Sequence, residues 1–253
     1  MRVCNLTSGS KGNSTYVETN NHKILIDVGT TCLYIENALK SININPSDID
    51  IVLITHAHTD HISGLEVFNK RYHPKVYATL NILNEAKLDS TDYDLIDSLN
   101  DISDIKISEI ALSHDAKDIK GYIIEENSSS MVYITDTGYI NKKYFDILNN
   151  RNLYIFESNH NVEMLMNNPN YPYHTKIRIL GDKGHLSNED SSYYLSKIIG
   201  KDTKYVVLAH LSEQNNTEEI ALNCFNDMIH ELNKYHPNVL IAKQNICTDI
   251  FEI

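Results

Sequence analysis

The sequence predicts an α/β protein built from two related halves, and three observations carry that expectation. Strand-like and helix-like segments alternate with short breaks, the order typical of layered α/β folds. The run KILIDVG (23–29) resembles MVYITDTG (131–138), each an apolar strand ending in Asp-x-Gly. Likewise IVLITHAH (51–58) resembles YVVLAHLS (205–212), each an apolar strand ending in histidine. No Pro-rich or Gly-rich linker parts the halves, so residues 1–253 are expected to form one domain.

In chain order, VCNL, TYVET and the buried-type run KILIDVG read as strands, with NNH at the bend between the last two. CLYIENALKSI has helical spacing of Leu33, Ile35, Leu39 and Ile42, and after NPSD the chain returns to a strand, IVLIT (51–55). The acid-rich and Ser-rich stretch DSTDYDLIDSLNDISD (89–104) is expected as a surface excursion. Strands resume with IKISEIAL, GYIIEE and MVYITD, the NSSS of 127–130 marking a hairpin turn. SNEDSSYYLSKII opens on a capping box of Ser187 and Asp190, and TEEIALNCFNDMIHEL has strong amphipathic spacing.

A chain of 253 residues can bury a full core, and 42% apolar with 22% charged residues is ordinary for a globular protein. The start MRVCNLTSGS has no apolar signal region and no uncharged run approaches a membrane span, so a cytoplasmic protein without membrane insertion is expected. Cys4, Cys32, Cys224 and Cys247 lack CxxC spacing, which argues against a disulfide framework or a cysteine zinc site. The net charge of −12 counts against a general nucleic-acid binder. It leaves room for a nuclease, because bound cations or a basic patch such as Lys70, Arg71 and Lys75 invert the sign locally. That patch itself reads as a solvated turn.

The stretch THAHTDH (55–61) follows directly on a buried strand. His56 and His58, two residues apart, can grip one cation while Asp60 and His61 turn toward a second. Imidazole with carboxylate suits zinc, manganese or iron.

With this HxHxDH loop the sequence resembles the metallo-β-lactamase superfamily, whose other ligand motifs occur here in order. The resemblance implies His114 in ALSHDAKD as third ligand of the first metal, Asp136 in ITDTG as bridging carboxylate, and His210 in LAHLS as last ligand of the second. It implies Asp27 as the buried carboxylate supporting the histidine loop. The implied fold is an αβ/βα four-layer sandwich, consistent with the two Asp/His half-repeats. FESNHNVEML, GDKGHLSNED and LAHLSEQNN, with SGSKGNS, look like the YycJ (WalJ) group, close to tRNase Z and carbon-phosphorus-lyase phosphodiesterase. That group implies a dinuclear phosphodiesterase, a 5′-3′ exonuclease on DNA, with RNA or a small phosphodiester as other substrates. Its mechanism is attack of a metal-bound hydroxide on phosphorus, with Asp60 among the catalytic residues.

A carboxylate such as Asp136 bridging two cations about 3.5–4 Å apart suits in-line displacement. A leaving alkoxide still needs a proton, and His185, ahead of a helix amino terminus, is the candidate general acid. Glu157 or His160 could orient it; for His160, orienter, extra ligand and structural histidine all stay open. His22, His73, His174, His230 and His236 read as surface residues without partners, and Asp115 as either a supporting carboxylate or a turn residue. SGSKGNS (8–14) lacks the nucleotide P-loop spacing and reads as a hairpin loop; the resemblance implies that it lies at the rim of the metal crevice, where Ser10, Lys11 and Asn13 are expected to touch substrate.

Three other readings compete. A thioesterase, lactonase or β-lactamase shares the first motif, though a secreted β-lactamase calls for a signal peptide and a cysteine ligand. A di-iron oxygen reductase calls for Glu where His58 stands and for a flavin domain. A non-catalytic metal binder leaves a full ligand set without a use. The sequence leaves oligomeric state open.

Overall fold

The computed structural model describes residues 1–102, 104–233 and 235–253; within the expected excursion, Ser103 lies outside the described residues. In chain order the strands are β1 (Arg2–Thr7), β2 (Ser14–Glu18), β3 (Lys23–Ile26), β4 (Ile51–Leu53), β5 (Lys75–Tyr77), β6 (Asp94–Leu95), β7 (Lys106–Ala111), β8 (Lys120–Glu126), β9 (Ser129–Ile134), β10 (Leu153–Glu157), β11 (Tyr205–Ala209), β12 (Asn238–Ile241) and β13 (Phe251–Glu252). The α-helices are α1 (Cys32–Ser41), α2 (Thr59–Ile62), α3 (Leu65–Tyr72), α4 (Leu80–Ala86), α5 (Phe145–Leu148), α6 (Val162–Asn167), α7 (Tyr173–Leu180), α8 (Asn188–Ile198) and α9 (Glu218–Leu232).

Among the described residues the strands form two sheets, ordered β13-β1-β2-β3-β4-β5-β6 and β12-β11-β10-β9-β8-β7. Each begins as an antiparallel ribbon, β1-β2-β3 or β7-β8-β9, and passes into a parallel run. The two related halves read from the sequence are therefore real, but the second repeat is offset. The parallel neighbour of β9 is β10, not β11, so the loop after β10 stands where THAHTDH stands in the first half. His210 follows one strand further out.

Period-two alternation explains why the strands read as unbroken apolar runs. Ile24 and Ile26 of β3 face the second sheet, joined by Leu53, Tyr133, Ile155 and Val207. Leu25 points the other way, to α1, α3 and α4 through Ile35, Leu39, Phe68 and Ile82. Val132, Ile134 and Leu208 pack outward on α5, α8 and α9 through Leu148, Leu195 and Phe225. Each fully buried Leu or Ile contributes about 1.5–3 kcal/mol of transfer free energy, so neither face of a strand can turn polar cheaply. Helix, sheet, sheet, helix is the expected four-layer αβ/βα sandwich.

Caps start the helices where the sequence changes character. Thr31 accepts from Tyr34 N to open α1, and Ser187 accepts from Asp190 N at 3.0 Å to open α8 while donating to Asp190 Oδ2 at 2.9 Å. Four local expectations change. Leu33 is 63% exposed, because at 100° per residue it lies opposite Ile35; Cys32, Ile35, Ala38 and Leu39 carry the buried face. The 89–104 stretch is not wholly excursion, since β6 pairs with β5 and Leu99 and Ile102 enter the inter-sheet core. Ser129 and Ser130 belong to β9, so the turn is tighter than NSSS. His22 is held between Asp50 at 2.5 Å and Asp104 at 2.8 Å, not unpartnered. Cys4 and Cys32 are buried thiols, with Cys224 and Cys247 half-buried. Among the described residues no helix is long and apolar enough to cross a membrane.

Candidate metal centre

The polar residues that follow β3, β4, β9, β10 and β11 converge at one edge of the sandwich. Three of them, Asp27 (φ 64°), Asp136 (φ 59°) and His210 (φ 57°), lie in the left-handed region. The chain there leaves the strand sharply, which aims the side chain along the strand direction at a cost of about 1–2 kcal/mol each. The Thr55–His61 loop is stitched to its neighbours by backbone bonds, Asn13 N to Asp60 O at 2.8 Å and Val28 N to His61 O at 2.9 Å, and those neighbours are joined by Gly29 N to Asn13 O at 2.9 Å. Gly29 is required there, because a Cβ would stand 1.8 Å from Asp60 O.

Three groups of side chains result, in each of which the donor atoms lie within 4.8 Å of one another; Asp136, Glu157, His185 and His210 form one that overlaps a neighbour, and the remaining two have no residue in common. Of these two, one is His56, His58 and His114; the other is Asp60, His61, Asp136 and His210. Asp136 lies between them, with Oδ2 3.1 Å from His61 Nε2 and Oδ1 3.9 Å from His114 Nε2. Asp60 Oδ2 is 3.7 Å from both His61 Nε2 and His210 Nε2.

Outer contacts fix the imidazole orientations. His61 Nδ1 donates to Asp27 Oδ2 at 2.7 Å, and His114 Nδ1 donates to Gly184 O at 3.0 Å. Thr55 Oγ1 gives its one proton to Asp27 Oδ2, so toward His56 Nδ1, 3.0 Å away, it can only accept. His210 Nδ1 faces Glu157 Oε1 at 3.0 Å. Each contact leaves Nε2 for a cation, the way metal-binding histidines are normally held. His56 Nε2, His210 Nε2 and Asp136 Oδ2 are buried without a hydrogen-bond partner. Buried polar atoms left this way cost about 1–3 kcal/mol each unless something binds them, so the donor set fits two divalent cations.

The electrostatics agree. Burial, reinforced by the neighbouring His61, holds His56 well below the usual imidazole range, and burial lowers His114. Both are neutral and ready to donate lone pairs. In the second group burial opposes charge on His61, but Asp27 and Asp136 outweigh it and raise His61 well above its ordinary value. His210 is raised to about 10, burial again being outweighed by Asp136, Asp60 and Glu157. Burial opposes ionisation of Asp136, yet His210 and His61 hold it well below the carboxylate range. This pocket calls for positive charge, which protons supply where no metal does.

Beside it stands a pair, Glu157 and His185, that belongs to the overlapping group alone. His185 Nδ1 donates to Glu157 Oε1 at 2.7 Å, and Glu157 Oε2 accepts from Thr137 N at 2.9 Å and Leu186 N at 3.2 Å. Glu157 is fully buried and lowered to about 2: burial opposes its charge, and His185 and His210 overcome it. His185 also lies near Asp136, Nδ1 to Oδ1 3.7 Å. His160 belongs to none of the ligand groups, and it is Glu157, not His160, that bonds His185. His160 is 1% exposed, its ring nitrogens have no hydrogen-bond partner, and burial lowers it to about 4; its backbone, not its ring, meets Ser187 and Asn188.

The SGSKGNS loop joins β1 to β2 as a hairpin, and Ser10 faces the cavity over the metal groups. Lys11 points away, paired with Glu213 at 2.6 Å. Asn13 does not meet substrate. It is 1% exposed and bonds Gly9 and Asp60 O, with its amide nitrogen 3.1 Å from His61 Nε2, bracing the ligand loop instead. Sequence reasoning missed Thr55, whose signal was its place directly before HxH, and Arg178, which had none. Asp115 is now placed: Oδ1 is 3.1 Å from His114 Nε2 and 3.7 Å from His58 Nε2, and Oδ2 holds Arg178 Nη1.

A sequence profile described as the Metallo-beta-lactamase superfamily matches residues 8–210. The chain is 37% identical over 233 residues to exodeoxyribonuclease YycJ of Bacillus anthracis, covering 89% of this chain and 88% of the relative. It is 38% identical over 225 residues to exodeoxyribonuclease WalJ of Streptococcus pneumoniae, covering 85% and 83%. Among solved structures, the metallo-beta-lactamase fold protein YhfI from Bacillus subtilis matches with a TM-score of 0.70 at 16% identity, over 98% of each chain, a likeness of fold alone.

Proposed function

The chain belongs to the metallo-β-lactamase superfamily, and within it we propose a metal-dependent phosphodiesterase that works as one domain and degrades DNA as a 5′-3′ exonuclease. The observation that carries this reading is the Glu157–His185 pair set beside two ligand groups, with Asp136 of the second lying 3.9 Å from His114 of the first. The exodeoxyribonucleases it is similar to, each more than four-fifths covered, support DNA as substrate.

His56, His58 and His114 would hold one cation and Asp60, His61, Asp136 and His210 the other; zinc fits this donor set first, then manganese or iron. When bound, such a pair supplies an activated water at neutral pH and offsets the charge growing on the phosphoryl oxygens. Asp27 and Thr55 keep His61 and His56 turned correctly. With Nδ1 anchored on Glu157, His185 presents Nε2 toward the cavity and gives the leaving oxygen its proton. Ser10 touches the substrate at the rim.

A small phosphodiester is the second reading, favoured by the −12 charge and a cavity of about 290 Å³. The test follows a 5′-labelled DNA strand and bis(p-nitrophenyl) phosphate with Zn or Mn. Stepwise loss from the labelled end supports the reading. Cleavage of the small diester alone selects the second, and hydrolysis of a thioester with neither phosphodiester cleaved overturns both.

A further inference from the structure

Resting on the phosphodiesterase reading, we propose that Arg178 is the residue that selects polynucleotides: its guanidinium, steered by Asp115, binds the phosphate next to the one being cleaved.

A polyanion approaching a chain of net charge −12 needs local positive charge beyond the metals. Among the described residues lining the cavity, Arg178 is the single Lys or Arg. Its place is defined by contact. Asp115 spends Oδ2 on Arg178 Nη1 and turns Oδ1 to His114 and His58, so one carboxylate separates the guanidinium from the first metal group. The helix beneath is anchored: Lys176 Nζ, on the buried side of α7, donates to Met166 O of α6 at 2.6 Å, and His185 N donates to Ile179 O at 2.9 Å. Arg178 is thus offered from a fixed surface.

A guanidinium has five N–H donors in a planar fork that matches phosphate oxygens two at a time. Asp115 engages one nitrogen, and with the side chain 60% exposed the rest of the fork is free. A phosphodiester with a single phosphate spends it on the metals and leaves Arg178 nothing to hold. A strand brings a second phosphate along with the scissile one. Tyr171, on the same wall, adds a ring face for the base between them.

Wild type, Arg178→Ala and Arg178→Lys are compared on a labelled single-stranded oligonucleotide and on bis(p-nitrophenyl) phosphate, with metal content measured for each. The expected result is that kcat/KM on DNA falls about 10- to 100-fold in Arg178→Ala, mainly through KM. The ratio of DNA to small-diester activity falls at least tenfold, and Arg178→Lys recovers part of it. With the metal-loaded protein and a phosphorothioate oligonucleotide that resists cleavage, fluorescence anisotropy shows weaker binding by Arg178→Ala and a salt slope shallower by about 0.7. Equal loss on both substrates, or no change in binding, overturns the assignment while wild-type cleavage of DNA leaves the enzyme reading intact. A wild type that cleaves only the small diester removes both.

Discussion

Replacing Asp27 by Asn tests the support behind the second ligand group with almost no change of shape. Asp27 is fully buried, and its two oxygens accept three bonds: Thr55 N at 2.8 Å, Thr55 Oγ1 at 2.8 Å and His61 Nδ1 at 2.7 Å. Asn tolerates the φ of 64°, so the backbone turn survives. It offers one acceptor in place of two. If the amide oxygen takes Thr55 N, the NH₂ faces His61 Nδ1, and the imidazole must carry its proton on Nε2, the atom that faces Asp136. If the amide turns over, Thr55 N–H is left buried and unpaired, at about 1–3 kcal/mol. Loss of such a supporting contact lowers metal affinity about 10- to 100-fold, or about 1.4–2.8 kcal/mol. The variant should therefore keep one equivalent of metal and bind the second weakly, with Tm lower by about 3–10 °C. Metal per chain, read by mass spectrometry across buffered free-zinc concentrations, checks the first expectation and calorimetry the second. Two metals bound within threefold of wild-type affinity would refute the role given to Asp27.

Further outcomes follow from other contacts. His185→Ala should keep both metals and lose about 10²- to 10⁴-fold in kcat on DNA, but far less on bis(p-nitrophenyl) phosphate, whose leaving group needs no proton; loss of metal instead would make His185 a ligand. Stripping the metals with a chelator should lower Tm by about 10 °C, since cations at 1,000 times Kd add about 4 kcal/mol, and zinc should restore it in a calorimetric titration. For His22, burial opposes its charge, but Asp50 and Asp104 outweigh it and raise the imidazole above its unfolded value. Its contribution is therefore complete below the unfolded pKa and disappears as pH rises through the folded one. Because Asp50 is 43% exposed, solvent screening limits the effect to about 0.5–1 kcal/mol. Urea unfolding should show His22→Asn less stable than wild type at pH 5.5 and equal to it at pH 9; a gap that widens with pH contradicts the ion pairs.

How much could be read in advance depended on how far apart in the chain the partners lie. His56, His58, Asp60 and His61 are consecutive, so one glance at THAHTDH groups them, and Asp27, Asp136 and His210 stand out as polar residues closing apolar strands. The Glu157–His185 pair was legible only as a choice, because Glu157 and His160, three residues apart, could each orient His185; the hydrogen bond from His185 to Glu157 decides it. Contacts across long separations left no trace. Nothing in NNH shows that His22 will meet Asp50 and Asp104, and nothing in KIRIL shows which side chain of α7 will face Asp115. Asn13 looked like rim chemistry because Asn is polar, whereas its amide ties Gly9 O of the hairpin to Asp60 O of the ligand loop.

Gly184 joins three structures that a homologous enzyme could otherwise vary separately. Its carbonyl orients His114, the next residue is His185, and a side chain on it would stand 2.0 Å from Ile179 O at the end of α7. Evolutionary drift in the α6–α7 segment is therefore channelled away from the end of α7. Insertions that reshape substrate preference can enter between Asn168 and Pro172, where the chain is open to solvent, without disturbing a metal or a proton donor. The same length change after Leu180 would cost the enzyme its first metal and its acid in a single step.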